Sequence, residues 1–197
     1  LRMDELFSLN GKTAVITGGT GVLGGEMACA LVGCGANVAV IDRNPNLPDH
    51  LKQPMDAGPG KYMVVYGDVL VREHLQTAAE DIQVSFGDID CLINAAGGNH
   101  PQATTSDDIS FFDLPDEALR SVFDLNIIGT ILPSQVFGCI MAEKGEGVIL
   151  NISSMSAFTP LTRIPAYSAS KAGVSNFTQW LAVHMAQEYS PNIRVNA

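Results

Sequence analysis

Thr13-Ala14-Val15-Ile16-Thr17-Gly18-Gly19-Thr20-Gly21-Val22-Leu23-Gly24 sets the fold. Five apolar and β-branched residues read as a strand, Thr13–Thr17. Glycines follow, and then the apolar stretch Val22–Gly33 reads as a helix. A pyrophosphate needs this order. Glycines let the backbone turn tightly and approach the phosphates, and the helix N-terminus presents free N–H groups and a partial positive charge. Such a loop also serves as a plain turn, so its neighbours carry weight.

Outward from this stretch the pattern repeats. Asn37–Asp42, Tyr62–Tyr66, Cys91–Asn94 and Gly147–Ile152 read as further strands, and Ile193–Val195 begins a sixth. Short apolar strands between helices indicate a parallel sheet covered on both faces, a doubly wound α/β/α layout whose ligands bind at the carboxyl ends of the strands. The candidate chemistry follows those ends: the glycine loop, Asp42, Asp68, Asn94 and Ser154. Leu119–Lys144 is expected to bend or break at Gly129 or Pro133. The helix Ala166–Glu188 starts after Pro165 and buries Val174, Phe177, Leu181 and Met185. Asn44–Gly60, with four prolines and two glycines, reads as a surface connection.

Composition narrows the classes. The chain has 197 residues, 46% of them hydrophobic, so it can bury a sizeable core as one domain, 1–197. Its net charge of −10 argues against nucleic acid, which needs clustered cations. No apolar run approaches the roughly 18 residues of a membrane span, and Leu1-Arg2-Met3-Asp4-Glu5 lacks the basic start of a signal peptide. Cys29, Cys34, Cys91 and Cys139 have no metal-ligand spacing and read as reduced, buried thiols of a cytoplasmic protein; no metal site is expected.

Asp42 ends the second strand, eighteen residues after Gly24, where a carboxylate can accept hydrogen bonds from ribose hydroxyls. It would repel a 2′-phosphate and so favours NAD, whereas the adjacent Arg43 can pair with that phosphate and keeps NADP open. Asp42 is otherwise a turn residue. Asp68, followed by Val69, can meet the adenine amino group, cap the helix that includes Arg72–Phe86, or do both. In Asn94-Ala95-Ala96-Gly97-Gly98 small residues let backbone pass close to a cofactor, or satisfy turn geometry alone.

Tyr167 and Lys171 stand four residues apart, on one helix face, with Ser154 thirteen residues before the tyrosine. A free phenol ionises near pH 10 and is a poor base at neutrality; a nearby ammonium favours its phenolate. Such a pair can take the proton of an alcohol or give one to a carbonyl, while a serine at a strand end holds the same substrate oxygen. Alone, the pair reads as a solvated surface contact. Beside a strand-end serine and a nucleotide loop it reads as a proton-transfer site. Asn126, on an apolar helix face, can hold a water that relays protons from Lys171, or it is a satisfied core amide.

At these residues the chain resembles the short-chain dehydrogenase/reductase family, through Thr17–Gly24, Asp42, Asp68-Val69, Asn94-Ala95-Ala96-Gly97, Asn126, Ser154 and Tyr167-Ser168-Ala169-Ser170-Lys171. The resemblance implies a Rossmann fold, NAD or NADP as cofactor, and Asn126, Ser154, Tyr167 and Lys171 as a catalytic tetrad. Gly18, Thr20, Gly21, Val22, Leu23, Asp42, Arg43, Asp68, Val69, Asn94, Ala95, Ala96, Gly97, Tyr167 and Lys171 would hold the cofactor. It also implies a homodimer or homotetramer with the two long helices in an interface. Two departures stand out. Val22 occupies the place of the family loop's middle glycine, and Gly21 is expected to take that glycine's part. The family continues past the sixth strand through a substrate loop and another strand, so the chain reads as C-terminally incomplete.

A narrower similarity, through Gly97-Gly98-Asn99-His100-Pro101 and Ser153–Thr162, is to the fructuronate reductase or D-mannonate oxidoreductase branch. It implies a small-molecule substrate, a sugar acid, with Ser154, Asn99 and His100 lining its pocket; a lone loop histidine is otherwise merely exposed. His50, His74 and His184 have no sequence partners and receive no role. The competing readings are a catalytically silent dinucleotide-binding or scaffold protein of the same fold, and an inactive fragment of an enzyme.

Overall fold

Thr13–Thr17 forms β1 because five consecutive apolar or β-branched residues are all buried, as in a strand with helices on both sides. The structure, a computed structural model, describes residues 6–159 and 161–197. The signal-peptide reading falls on Leu1–Glu5, which with Pro160 lie outside the described residues.

From β1 the chain runs through α1 (Val22–Gly33), β2 (Asn37–Asp42), α2 (Asp49–Ala57), β3 (Lys61–Tyr66), α3 (Arg72–Phe86) and β4 (Cys91–Asn94). It continues through α4 (Asp116–Phe123), a π turn (Asp124–Ile128), α5 (Gly129–Lys144), β5 (Gly147–Asn151), α6 (Pro165–Glu188) and β6 (Ile193–Asn196). All six strands are parallel, in the order β3-β2-β1-β4-β5-β6. The strand order reverses between β1 and β4, so the loops leaving these neighbours diverge and open a crevice at their carboxyl ends.

Alternate residues of the strands serve two cores. Val15, Ala39, Ile41, Leu92 and Ile149 pack with Leu75 and Ile82 of α3, Phe137 and Met141 of α5, and Leu181 and Met185 of α6. Ile16, Val38, Val40 and Ile93 face the other way, against Ala28 and Val32 of α1 and Met55 of α2. This second layer lies over β1 to β3. Farther along, Val148 and Leu150 are half-buried and Arg194 and Asn196 exposed, so cover on both faces holds for the first strands rather than throughout.

The strand and helix expectations hold, with ends shifted by a residue at Lys61, Asn151 and Pro165. Other expectations give way. The proline-rich Asn44–Gly60 contains α2, which docks through Leu51 and Met55; Gly25 permits this, since a Cβ there would stand 2.3 Å from the Leu51 Cδ1. The long helix is interrupted before Gly129, at the π turn, where the Gly129 N–H bonds back five residues to the Asp124 carbonyl. It continues through Pro133. Asp116–Lys144 is long and apolar enough to cross a membrane by length and composition, contrary to expectation. Here α5 spends its apolar face on the sheet, through Phe137 and Met141. All four cysteines are free thiols, but none is buried as expected: Cys29 and Cys91 are half-buried, and Cys34 and Cys139 are exposed.

Candidate active site

The glycine loop closes the crevice from one side. Gly18 has φ +68°, a conformation that L side chains rarely adopt, and a Cβ there would lie 2.8 Å from the Ala96 backbone. Its N–H donates to the Ile41 carbonyl at 2.8 Å, and Ala96 N–H donates to Thr17 Oγ1 at 3.2 Å. These two bonds lock the β1, β2 and β4 ends together. Gly24 packs so closely that a Cβ would be 2.5 Å from the Gly18 carbonyl oxygen. Gly21 is the N-cap of α1 and offers no side-chain cap, which leaves the first amides of the helix open to an anion. Val22 is the first helical residue and is 80% exposed, so it replaces the expected glycine without a clash.

The resulting groove has a volume of about 390 Å³. Gly18, Gly21, Val22 and Leu23 line it from the loop, Asp42 and Arg43 from β2, Asp68 and Val69 from β3, and Ala95, Ala96 and Gly97 from β4. Gly24 of the glycine motif joins them, as do Ile41 and Gly67 beside the β2 and β3 ends and Leu125 of the π turn, which carried no signal in the sequence. An adenine dinucleotide fits these residues: carboxylates stand at the β2 and β3 ends and bare backbone lies between. Asp42 closes a turn and also faces the groove. Its Oδ1 closes a turn by accepting from Asn44 N–H at 3.0 Å, and its Oδ2 accepts from Thr20 N–H at 3.3 Å while the residue faces the groove. Thr20 itself holds that carboxylate rather than lining the groove.

Asn94 does not reach the groove. It pairs in register with Asn151 on β5, on the same face of the sheet. Its Nδ2 donates to Asn151 Oδ1 at 2.8 Å and to Ser134 Oγ at 3.0 Å, both buried. Asp68 does not cap α3, whose N-cap is Val71; instead its Oδ1 accepts from Leu70 N–H at 2.9 Å.

Gly97 is the joint between the groove and the proton-transfer residues. A Cβ there would meet Asn126 Oδ1 at 2.8 Å and Lys171 Nζ at 3.3 Å. Asn126 sits in the π turn, fully buried. Its Nδ2 donates to the Gly98 carbonyl at 2.7 Å and the Val122 carbonyl at 2.8 Å, and its Oδ1 accepts from Gly98 N–H at 3.1 Å. The amide is satisfied, and its bonds fix the loop after β4.

Lys171 is 5% exposed. Its Nζ donates to the Ile152 carbonyl at 2.6 Å and stands 5.7 Å from the Tyr167 ring centroid. Among the described residues no carboxylate pairs with it, and burial pushes its ammonium below the usual lysine range. Tyr167 is half-buried beside Ala166, Val122 and Ala103, and its hydroxyl takes no hydrogen bond among the described residues. Ser154 Oγ accepts from Ser156 N–H at 3.2 Å and Ser156 Oγ at 2.9 Å, which leaves its own hydrogen to donate. Ser153 bonds Ser175 at 2.6 Å and so ties the end of β5 to α6. Asn99 and His100 hold their own loop: Asn99 Nδ2 donates to Thr104 Oγ1 at 2.7 Å, and His100 Nδ1 accepts from Gln102 N–H at 3.2 Å. Neither lines the groove.

Residues 12–197 match the family model for short chain dehydrogenases. The chain is 44% identical over 198 residues to the uncharacterized oxidoreductase UxuB of Bacillus subtilis (strain 168), covering 96% of this chain and 70% of that one. It is 31% identical over 188 residues to the 7alpha-hydroxysteroid dehydrogenase of Escherichia coli (strain K12), covering 95% and 69%. A crystal structure from Haemophilus influenza, provisionally described as a D-mannonate oxidoreductase and holding bound NAD, superposes with a TM-score of 0.90 at 40% identity, covering 100% of this chain and 72% of that one. The chain belongs to the short-chain dehydrogenase family of oxidoreductases.

Proposed function

We propose that the chain interconverts a ketone and a secondary alcohol on a sugar acid of the fructuronate or mannonate type, with NAD as the preferred cofactor. One observation carries the reading: the dinucleotide groove ends at Gly97, against which Asn126 Oδ1 and Lys171 Nζ are packed. The relative with bound NAD supports the cofactor, and its description supports the substrate class. When bound, the nicotinamide supplies the hydride acceptor or donor. The protein supplies the rest. Gly18, Gly21 and the open amides of α1 receive the pyrophosphate. Asp42 accepts from the ribose hydroxyls and disfavours a 2′-phosphate. Ser154 donates to the substrate oxygen with the hydrogen that Ser156 leaves free. Tyr167 takes the alcohol proton during oxidation and returns it to the carbonyl oxygen during reduction. The Lys171 ammonium, 5.7 Å from the Tyr167 ring centroid, favours the negative charge that develops on the phenol.

We also infer a homodimer or homotetramer. Between α5 and α6 a groove of about 560 Å³ is lined by Ile131, Cys139, Phe177, Trp180 and Tyr189, with Trp180 57% exposed. Exposed Trp180, Val183 and Tyr189 on and just after the second long helix favour burial against another copy. A panel of sugar acids, polyols and steroids with NAD and NADP tests the function. NADH-linked turnover greatest on a sugar acid supports it; dinucleotide binding with no turnover anywhere on the panel contradicts it.

A further inference from the structure

His74 is the third residue of α3, whose N-cap is Val71. A side chain in the first turn of a helix leans toward the chain that enters it, and a glutamate at this position commonly reaches back to the N-cap amide. The imidazole goes past the N-cap. Its Nδ1 accepts the Asp68 N–H at 3.3 Å. Its ring stands edge-on to Tyr66, with centroids 5.2 Å apart and planes at 63°, so the ring is steered from the β3 side as well.

Asp68 is therefore gripped at three atoms. Its N–H goes to His74, its Oδ1 accepts from Leu70 N–H at 2.9 Å, and its carbonyl accepts from Val71 N–H at 3.0 Å. Its Oδ2 takes no hydrogen bond among the described residues, and Asp68 lines the groove between Gly67 and Val69. Gly67 N–H in turn donates to the Asp42 carbonyl at 3.0 Å, so the β2 and β3 rims move as one piece.

We propose that His74 is a positioning residue for the adenine half of the dinucleotide. By holding the Asp68 amide, it fixes where the free carboxylate oxygen stands to accept a hydrogen bond from the adenine amino group. The inference rests on the dinucleotide reading above. In this geometry Nδ1 is the acceptor and carries no hydrogen. Asparagine places an acceptor oxygen where this nitrogen lies, so it is the conservative replacement.

The test is fluorescence titration of NADH, with ADP-ribose and nicotinamide mononucleotide as competing ligands. In His74→Ala the dissociation constants of NADH and ADP-ribose are expected to rise about fivefold, from one lost positioned hydrogen bond. Nicotinamide mononucleotide should be unaffected, and His74→Asn should stay within about twofold of the unaltered chain. A purely structural role would lower the melting temperature of His74→Ala and leave ADP-ribose affinity alone; that result overturns the inference. So does a His74→Asn variant as weak as His74→Ala. If the unaltered chain binds neither NADH nor ADP-ribose, the proposed function itself falls. Normal binding untouched by His74→Ala removes this inference alone.

Discussion

Two lysines at opposite ends of one sheet show how this fold treats charge. Lys144, at the end of α5, lies beneath the amino ends of the strands. Its Nζ is 2.6 Å from Asp90 Oδ1 and 3.4 Å from Glu146. Lys12 reaches the same Asp90 oxygen at 3.0 Å, and Asp90 Oδ2 accepts Thr13 N–H at 2.8 Å. Burial opposes charge on both partners. Even so, the hydrogen bonds and charge of Asp90 and Glu146 hold Lys144 above the usual lysine range, while those of Lys144, Thr13 and Lys12 hold Asp90 below the usual carboxylate range. At the carboxyl ends Lys171 is more deeply buried and, among the described residues, meets only a carbonyl; desolvation pushes it down. The paired lysine holds the sheet together. The unpaired one is a strained charge, kept where the reaction would use it.

Replacing each lysine by methionine separates their two roles most sharply. Lys171→Met is expected to reduce turnover about 10³-fold. It should also leave stability equal or raised, because an unpaired buried charge disappears. Lys144→Met should leave turnover within about twofold and lower stability by about 1–3 kcal/mol, since Asp90 loses a partner. Steady-state kinetics and denaturant unfolding of both variants check this.

Gly24→Ala comes next. The new Cβ would meet the Gly18 carbonyl oxygen at 2.5 Å, backbone against backbone, so the loop must shift. A stability loss of about 1–3 kcal/mol and a cofactor affinity weakened about tenfold or more are expected, by calorimetry and NADH titration.

Asp90→Asn sharpens the amino-end half. The folded carboxyl titrates below its unfolded value near 3.8. Its stabilisation is therefore present above that pH and is lost as pH falls through the lower folded value. At pH 7 the variant should be about 1–2 kcal/mol less stable; the gap should close in strong acid. A gap independent of pH would mean that the charge contributes nothing.

The smallest effect belongs to Val22→Gly. The residue is exposed at the first position of α1, so restoring the family glycine should change stability and cofactor affinity by less than about 1 kcal/mol.

Much of this was legible in the sequence. Continuous apolar strands marked the parallel sheet, and strand ends marked Asp42, Asp68 and the Ala95–Gly97 passage, which line the groove. Spacing of one helical turn gave Tyr167 and Lys171. What stayed hidden depends on contacts between distant segments. Asn94 turns inward because its register partner is Asn151, and no local pattern states that pairing. The π turn around Asn126 leaves no mark in composition, whereas Gly129 and Pro133 do, so the interruption was expected a few residues too late. The small helix α2 survives in a stretch of four prolines, with Pro54 inside it, because Leu51 and Met55 find a floor on α1. His74 gains meaning only once α3 folds back on the β3 end.

In the proposed reaction the phenol of Tyr167, one helical turn before Lys171, handles the proton. Comparing Tyr167→Phe with the unaltered chain, by NADH binding and by NADH-linked turnover on the best sugar acid of the panel, tests it most directly. Unchanged NADH affinity with turnover reduced by at least about 10²-fold is expected; turnover retained at saturating cofactor would remove the tyrosine's role.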